Sequence, residues 1–417
     1  MARPDKLSVF LNEELVGTIH DASPLAFEYA PAWLTRAARL GVSTIPLQPG
    51  RNDSTAVQAC FENLLPEGEL RDYLAERKKS STLFAMLLEV AGDTAGGFTI
   101  LPAGQVPEAP VYESTSWPRL AARLRETSAS AIDIKGSNAR ISLAGAQDKT
   151  SLAIFADGVP RIPAGTAPST HILKPDIRRM SKVWQSAANE TITMLTAAKC
   201  GLPTAGVFFE PQTGSCVVRR FDRVTHEDGS LERLIQYDLC QLAGTVSERK
   251  YEKEGGPGIA ACATLIRQYS SQPAVDLRNF VQWILFNLYT GNNHSHAKNL
   301  SIIHIPGAGT RLAPFYDLMC TRMYPGLSQE FAFAIGGETA PGSITQTHIA
   351  AMAEQLNMRT AFVLSLADAL AKKLPAAMEQ AIAEARPSLS PSAKTLAKRL
   401  KDFVLSATAK GTARIVG

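Results

Sequence analysis

The stretch FNLYTGNNHSHAKNLSIIH, residues 286–304, and the RLAPFYD that follows it at 311–317 decide how the chain is read. Just upstream, Phe280–Tyr289 (FVQWILFNLY) carries Phe280, Ile284 and Leu288 at helical spacing with Val281 and Leu285 beside them, which predicts a helix with an apolar face. Gly291 supplies the stop. Asn292, Asn293, His294, His296, Lys298 and Asn299 come next, then the apolar Leu300–Ile303, a turn at Pro306-Gly307, and Pro314-Phe315-Tyr316-Asp317. The predicted order is helix, polar loop, strand pair, and an acidic residue at a strand end.

That order meets a chemical need. Phosphoryl transfer of the kinase type uses a loop with a proton-accepting position, an Asn five residues later for a metal, and an Asp on the next hairpin for the metal that bridges the phosphates. Asn299 and Asp317 suit the last two roles. The first position holds His294 in place of the usual carboxylate. An Asp there meets the substrate hydroxyl with a full negative charge. A histidine, with a pKa of about 6.5, still accepts a proton, but once protonated it is a cation beside a metal, which suppresses that state. General bases contribute about 10²–10⁴-fold, so transfer is expected to be strongly reduced and nucleotide binding mostly retained.

At 417 residues the chain exceeds what one core usually fills, so two or three packed units are expected. A composition 45% hydrophobic and 20% charged is ordinary for a soluble globular protein. The net charge of +4 suits an anionic ligand such as a nucleotide, or DNA, and demands neither. The six scattered cysteines form no C-x-x-C, the N-terminus (MARPDKLSVF) lacks an apolar signal core, and no apolar run approaches the ~18 residues of a membrane helix. A reducing, cytoplasmic setting with buried thiols and no membrane contact is expected.

The first half reads as β-rich. Leu7–Thr18 (LSVFLNEELVGT) alternates about Asn12-Glu13 like a hairpin, helices are expected at Val57–Leu65 and Ser81–Val90, and the Pro-rich 105–116 reads as a linker. In Ile132–Ile154 two β-rich segments flank a loop with Gly145, Gln147 and Lys149, which is either a hairpin tip or a phosphate-covering loop. It has neither G-x-x-x-x-G-K-[ST] nor G-x-G-x-x-G. His171–Pro175 (HILKP) puts a lysine on an apolar strand, as an edge residue or as a nucleotide lysine. The following helix, Ala187–Cys200, offers Glu190 as its partner. Gly206–Phe209 and Cys216–Phe221 read as a hairpin. Past about residue 238 helices dominate: Asp238–Ala243, Ile259–Tyr269, Leu277–Tyr289, Thr347–Leu356, Thr360–Ala371, Met378–Glu384 and a basic Lys394–Lys410. Gly244–Gly258, polar and Gly-rich, reads as a mobile segment or a surface loop.

Together these blocks resemble the HipA family, the serine/threonine kinase toxins of bacterial type II toxin–antitoxin systems, over nearly the whole chain. FENLLPEG with LFAMLLEVAGDTAGG resembles the family's N-terminal subdomain, ISLAGAQDKTSLAI its ATP-covering loop, and THILKP its nucleotide-lysine strand. NETITMLTAAKCGLPTA resembles its next helix, VVRRFDR its hinge, and GNNHSHAKNLS with LAPFYDLMCT its catalytic and metal-binding loops. The resemblance implies an α+β, two-lobed protein-kinase-like fold with an extra N-terminal subdomain and an all-helical C-terminal lobe, divided as 1–105, 116–240 and 241–417. It also implies ATP and Mg²⁺. Lys174 would grip the phosphates, and Asn299 and Asp317 would hold the metal. Ala144, Gly145, Ala146, Gln147, Asp148 and Lys149 would lie over the nucleotide, and Arg219, Arg220 and Phe221 would pass the adenine, largely through backbone groups. His296, Lys298 and Tyr316 would complete the nucleotide site. His294 stands at the catalytic Asp position, and Ser142 at that of an autophosphorylated serine whose modification withdraws the loop. The implied partners are a HipB-like helix-turn-helix antitoxin on operator DNA and a protein substrate such as an aminoacyl-tRNA synthetase. The chain also departs from the family pattern at Arg219, for a hinge Glu, and at Tyr237, for another acid.

His294-Ser295-His296 has the i, i+2 spacing of a metal pair, but no Cys or acid lies at a supporting distance nearby, and no G-x-S-x-G is present. The competing reading is non-catalytic: a pseudokinase-like partner of the antitoxin and co-repressor on DNA, which the basic Lys394–Lys410 helix would serve equally.

Overall fold

In the computed structural model LSVFLNEELVGT becomes a hairpin: Lys6–Leu11 and Glu14–His20 pair antiparallel, and Asn12 turns with φ 54°, a left-handed conformation that Asn tolerates. The structure describes residues 4–36, 40–68, 71–72, 75–76, 82–90, 92–126, 141–142, 147–178 and 180–417, with backbone alone at 90, 141 and 142. They form two compact units that alternate along the sequence. The first comprises Met1–Leu173, Arg220–Glu248 and Ile303–Ala308, and the second Lys174–Arg219, Arg249–Ile302 and Gly309–Gly417.

In the first unit Arg51–Asn52, Ala26–Tyr29, Glu14–His20, Lys6–Leu11 and Phe98–Pro102 lie side by side in that order as an antiparallel sheet. Helix Thr55–Glu62 buries Val57, Cys60 and Phe61, and the Phe61 ring lies 5.7 Å from that of Phe27 on the sheet. A second antiparallel run orders Val111–Ser114, Pro160–Ala164, Thr150–Ile154 and His171–Lys174. The stretch read as a linker therefore contains a strand, Val111–Ser114, whose mostly exposed residues suit the sheet edge it occupies. Tyr237 is buried here, its hydroxyl donating to the Gly41 carbonyl at 2.9 Å.

The second unit is mostly helical, with Ser186–Lys199, Ile259–Tyr269, Pro273–Thr290, Gln346–Gln355, Thr360–Ala385 and Pro391–Ile415. The hairpin of Val207–Glu210 and Ser215–Arg219 packs on the first of them. Helix Pro273–Thr290 opens on a proline, whose missing N–H has no intrahelical partner in any case, and stops at Gly291 with φ 74°. Its Trp283 ring lies 6.0–6.2 Å from those of Phe280, Phe315 and Phe333. Burying a side chain of this kind contributes about 1.5–3 kcal/mol.

Thr360–Ala371 and Met378–Glu384, expected as two helices, are one: Thr360–Ala385 runs through Pro375. An interior proline costs about 3 kcal/mol or more. Val363, Leu366 and Leu370 before it and Met378 and Ala381 after it are all buried, and that shared apolar face outweighs the break. Gly244–Gly258 holds two 3₁₀ turns, Ser247–Arg249 and Glu252–Glu254. All six cysteines are buried free thiols, and no helix among the described residues is long and apolar enough to cross a membrane.

Candidate functional site

The strand His171–Lys174 ends on a lysine that is 5% exposed. Its Nζ lies 2.6 Å from Glu190 Oε1 and 2.6 Å from Asp317 Oδ1. Burial works against the ammonium charge, but attraction from Asp317 and Glu190 overrides it, and the pKa ends above the ordinary 10.5. One cation between two carboxylates leaves a formal surplus of negative charge, which a further cation would neutralise.

Glu190 sits in the first half of helix Ser186–Lys199, whose residues are buried on nearly every side. Polar residues survive there because their bonds are closed locally. Thr191 donates to the Ala187 carbonyl at 2.8 Å and Thr196 to that of Ile192 at 2.7 Å. At the N-terminus Asp176 Oδ1 accepts the Ala187 N–H at 2.9 Å, a cap supplied from outside the helix. Asn189, beside Glu190, clamps the segment that carries Asp317: its Nδ2 donates to the Cys320 carbonyl at 3.0 Å, and its Oδ1 accepts the Cys320 N–H at 2.9 Å. Asp317 itself has φ 58°, a left-handed conformation that costs a non-glycine residue roughly 1–2 kcal/mol.

The polar loop is knitted from within. Asn292 Nδ2 donates to Asn287 Oδ1 at 2.9 Å, and its Oδ1 accepts the His294 N–H at 3.2 Å. The Asn293 N–H donates to Thr321 Oγ1 at 2.9 Å and its Nδ2 to the Ser328 carbonyl at 3.1 Å, so this side chain also serves the loop's shape. Asn299 closes the 3₁₀ turn Ala297–Asn299, and its Nδ2 donates to the His294 carbonyl at 2.9 Å, which turns the amide oxygen away from that backbone. Tyr316 Oη donates to the Lys298 carbonyl at 3.1 Å and pairs with Ser301 Oγ at 2.8 Å. The residues just before Asn299 and Asp317 are thereby bonded to each other.

His294 Nδ1 lies 2.6 Å from Tyr251 Oη. The His296 ring packs edge-on against both, with centroids 4.7 Å from His294 and 4.9 Å from Tyr251. His296 is 2% exposed, and neither ring nitrogen has a hydrogen-bond partner among the described residues. Burial, then His294 and Lys250, push its pKa well below 6.5, so it is neutral. Buried polar atoms left this way cost free energy that a bound polar ligand recovers.

The second unit thus brings together Lys174, Glu190, His294, His296, Lys298, Asn299, Tyr316 and Asp317. Arg219 also belongs to it, its N–H donating to the Gly206 carbonyl at 2.8 Å. Arg220 belongs to the first unit, where its guanidinium is spent on Asp222, Asp93, Ser169 and the Thr94 carbonyl. Its backbone N–H is taken as well, donating to the Thr170 carbonyl at 2.9 Å. Phe221, Gln147, Asp148 and Lys149 also lie in the first unit, and Ala144, Gly145 and Ala146 fall outside the described residues. The backbone of Ser142 forms a two-residue strand with Ile141, parallel to Asp93–Thr94. Asn189 and Tyr251 are absent from the sequence reading. A polar Asn inside a helix was a signal for the first, and nothing local marks the second.

Among the described residues no three His, Cys, Asp or Glu group as a metal cage. A cation at Asp317 would rest on its carboxylate, the Asn299 amide oxygen and oxygens of the ligand, a hard and sparse donor set that fits Mg²⁺.

A lysine at a strand end, tied to a helix glutamate and to an aspartate beyond a polar Asn-bearing loop, is the arrangement of protein-kinase-like folds. Residues 141–382 match the HipA-like C-terminal domain and residues 7–101 the HipA N-terminal domain. The serine/threonine-protein kinase toxin HipA of Shewanella oneidensis (strain MR-1) is 31% identical over 398 residues, 90% of this chain and 89% of that one. Protein Y4mE of Sinorhizobium fredii (strain NGR234) is 35% identical over 350 residues, 79% of this chain and 80% of that one. The S. oneidensis MR-1 HipA structure, from a complex with HipB and its operator DNA, matches with a TM-score of 0.84 at 27% identity, covering 98% of each chain. The fold is therefore α+β and kinase-like, with an N-terminal subdomain and a helical C-terminal region. The chain belongs to the HipA family, and the resemblance read from its sequence is borne out.

Proposed function

We propose that this chain is a HipA-type toxin, a cytoplasmic serine/threonine protein kinase using ATP and Mg²⁺, organised as 1–105, 116–240 and 241–417. The observation that supports it most is the double ion pair of Lys174 with Glu190 and Asp317 at 2.6 Å each, beside the loop that carries Asn299. Lys174 holds phosphate oxygens and Glu190 keeps its ammonium in place. Asn299 and Asp317 ligate the metal, and His296, Lys298 and Tyr316 line the nucleotide. Residues 144–149 cover it, and the backbone of 219–221 passes the base. When bound, Mg²⁺·ATP supplies the phosphoryl group and offsets the charge that develops on it. His294 meets the substrate hydroxyl, and its lack of a carboxylate lowers transfer by about 10²–10⁴-fold. Targets are Ser142 of the chain itself and a protein hydroxyl, in the family's manner that of an aminoacyl-tRNA synthetase. A HipB-like antitoxin on operator DNA is the partner.

The test is incubation of the full chain, and of its His294→Asp variant, with labelled ATP, Mg²⁺ and a cytosolic extract. Label on Ser142 and on an extract protein is expected, faster in the variant by about 100-fold or more. Equal rates would refute the role given to position 294. A second reading, a pseudokinase-like co-repressor, is favoured by the histidine at the base position. Melting shifted by Mg²⁺·ATP with no label in either form would select it.

A further inference from the structure

The Tyr251–His294 contact decides what the imidazole offers. A neutral imidazole has one N–H and one lone pair, and the group bonded to one nitrogen fixes the state of the other. At 2.6 Å the contact has the length of a hydroxyl donating to an acceptor. A phenol O–H, with a pKa of about 10, is a much stronger donor than a neutral imidazole N–H, and an imidazole lone pair is a better acceptor than a phenol oxygen. Lys250 Nζ lies 5.8 Å from the Tyr251 ring centroid, and its charge strengthens the hydroxyl as a donor.

Both partners are also held. The Tyr251 carbonyl accepts the N–H groups of Glu254 at 3.0 Å and Gly256 at 2.9 Å. Gly256 has no room for a side chain, because a Cβ there would lie 2.1 Å from the Arg249 carbonyl oxygen. Glu252, next to Tyr251, accepts the Ala334 N–H at 2.7 Å. The His294 N–H is bound by Asn292 and its carbonyl by Asn299, while the edge-on His296 ring opposes rotation of the imidazole.

We propose that Tyr251 is a positioning residue that fixes His294 in the tautomer with Nδ1 accepting and Nε2 protonated. The side chain at the base position thus presents an N–H rather than a lone pair. The inference rests on the proposed kinase reading for its consequence: His294 orients a hydroxyl or phosphate oxygen as a donor, and the proton leaves the hydroxyl without its help.

Histidine-selective ¹⁵N labelling of the full chain tests this directly, with a His294→Asn variant to assign the His294 signals among the seven histidines. At neutral pH the expected spectrum shows an unprotonated Nδ1 and a protonated Nε2. Tyr251→Phe is expected to mix the two tautomers and to raise Mg²⁺·ATP-dependent labelling by about tenfold, the factor set by one ordinary hydrogen bond. Protonated Nδ1 in the unmodified chain, or a tautomer unchanged by Tyr251→Phe, would overturn the proposal. So would labelling that falls in Tyr251→Phe while the fold is kept, since that result makes Tyr251 an acceptor that supports a base. Absence of label in every variant, His294→Asp included, counts against the kinase reading, and the spectrum then still decides the tautomer.

Discussion

Replacing Lys174 with Met removes the cation that lies between two carboxylates. The Glu190 side chain is 1% exposed, so it would be left charged in the interior, while Asp317, at 27%, keeps contact with water. Breaking a buried pair from one side costs about 3–5 kcal/mol. In the unmodified chain the Lys174 pKa is raised, so the stability it contributes is complete at neutral pH and is lost only as pH rises through that raised value. Lys174 therefore adds no slope between pH 5 and 8. In the variant, an unpartnered buried carboxylate relieves itself by taking up a proton, so the cost is greatest at pH 8 and shrinks as pH falls. Hydrogen exchange of helix Ser186–Lys199 reads this locally. A loss of 3 kcal/mol appears as exchange on the order of 100-fold faster at pH 8, since about 1.4 kcal/mol is tenfold. Removing the stranded charge as well, in Lys174→Met with Glu190→Gln, is expected to restore most of the protection. Acceleration below tenfold at pH 8, or a double variant as labile as the single one, would refute the electrostatic account.

Two further outcomes follow from the same unit. His296 is held neutral well below its ordinary 6.5, by burial first and then by His294 and Lys250, whereas the unfolded chain titrates at about 6.5. Its contribution to stability is complete above pH 6.5 and is lost as pH falls below it, with a slope of up to about 1.4 kcal/mol per pH unit. His296→Leu should flatten urea midpoints between pH 7 and 5, and curves that fall in parallel would count against this. Gly291→Ala places a Cβ 2.8 Å from Phe403 Cε1 at φ 74°, which should cost about 2–4 kcal/mol. In calorimetry a loss of that size lowers the Tm by roughly 5–10 °C, and a fall of less than 2 °C would show that the cap relaxes.

What the sequence made legible was local. The 3.6-residue spacing of Phe280, Ile284 and Leu288 and the glycine at 291 specify a helix and its end within one segment, and Pro273–Thr290 runs as that pattern requires. The strand lysine and the helix glutamate lie 16 residues apart, close enough for their pairing to be anticipated. Pro375 misled because local propensity says break, while the buried face that overrides it is set by helices elsewhere in the chain. Val111–Ser114 was missed because an edge strand needs no apolar alternation, only a partner, and that partner is some 50 residues on.

The parts of the site that escaped reading share one physical cause: each is a polar group whose partner is remote in sequence. Asn189 meets Cys320 across 131 positions, and Tyr251 meets His294 across 43. A hydrogen bond leaves no periodicity, so neither residue type nor spacing announces it. The same holds for Lys174 and Asp317, 143 positions apart, where only a known chemistry suggested that the two should meet. The Asn189 clamp also gives that meeting its geometry. Glu190 is next to Asn189, and Asp317 is three residues from Cys320, so two backbone bonds hold both carboxylates to one ammonium even though Asp317 must adopt an unfavourable backbone to reach it. The strain at Asp317 is tolerable because the clamp and the ion pair act on the same short segment from two sides.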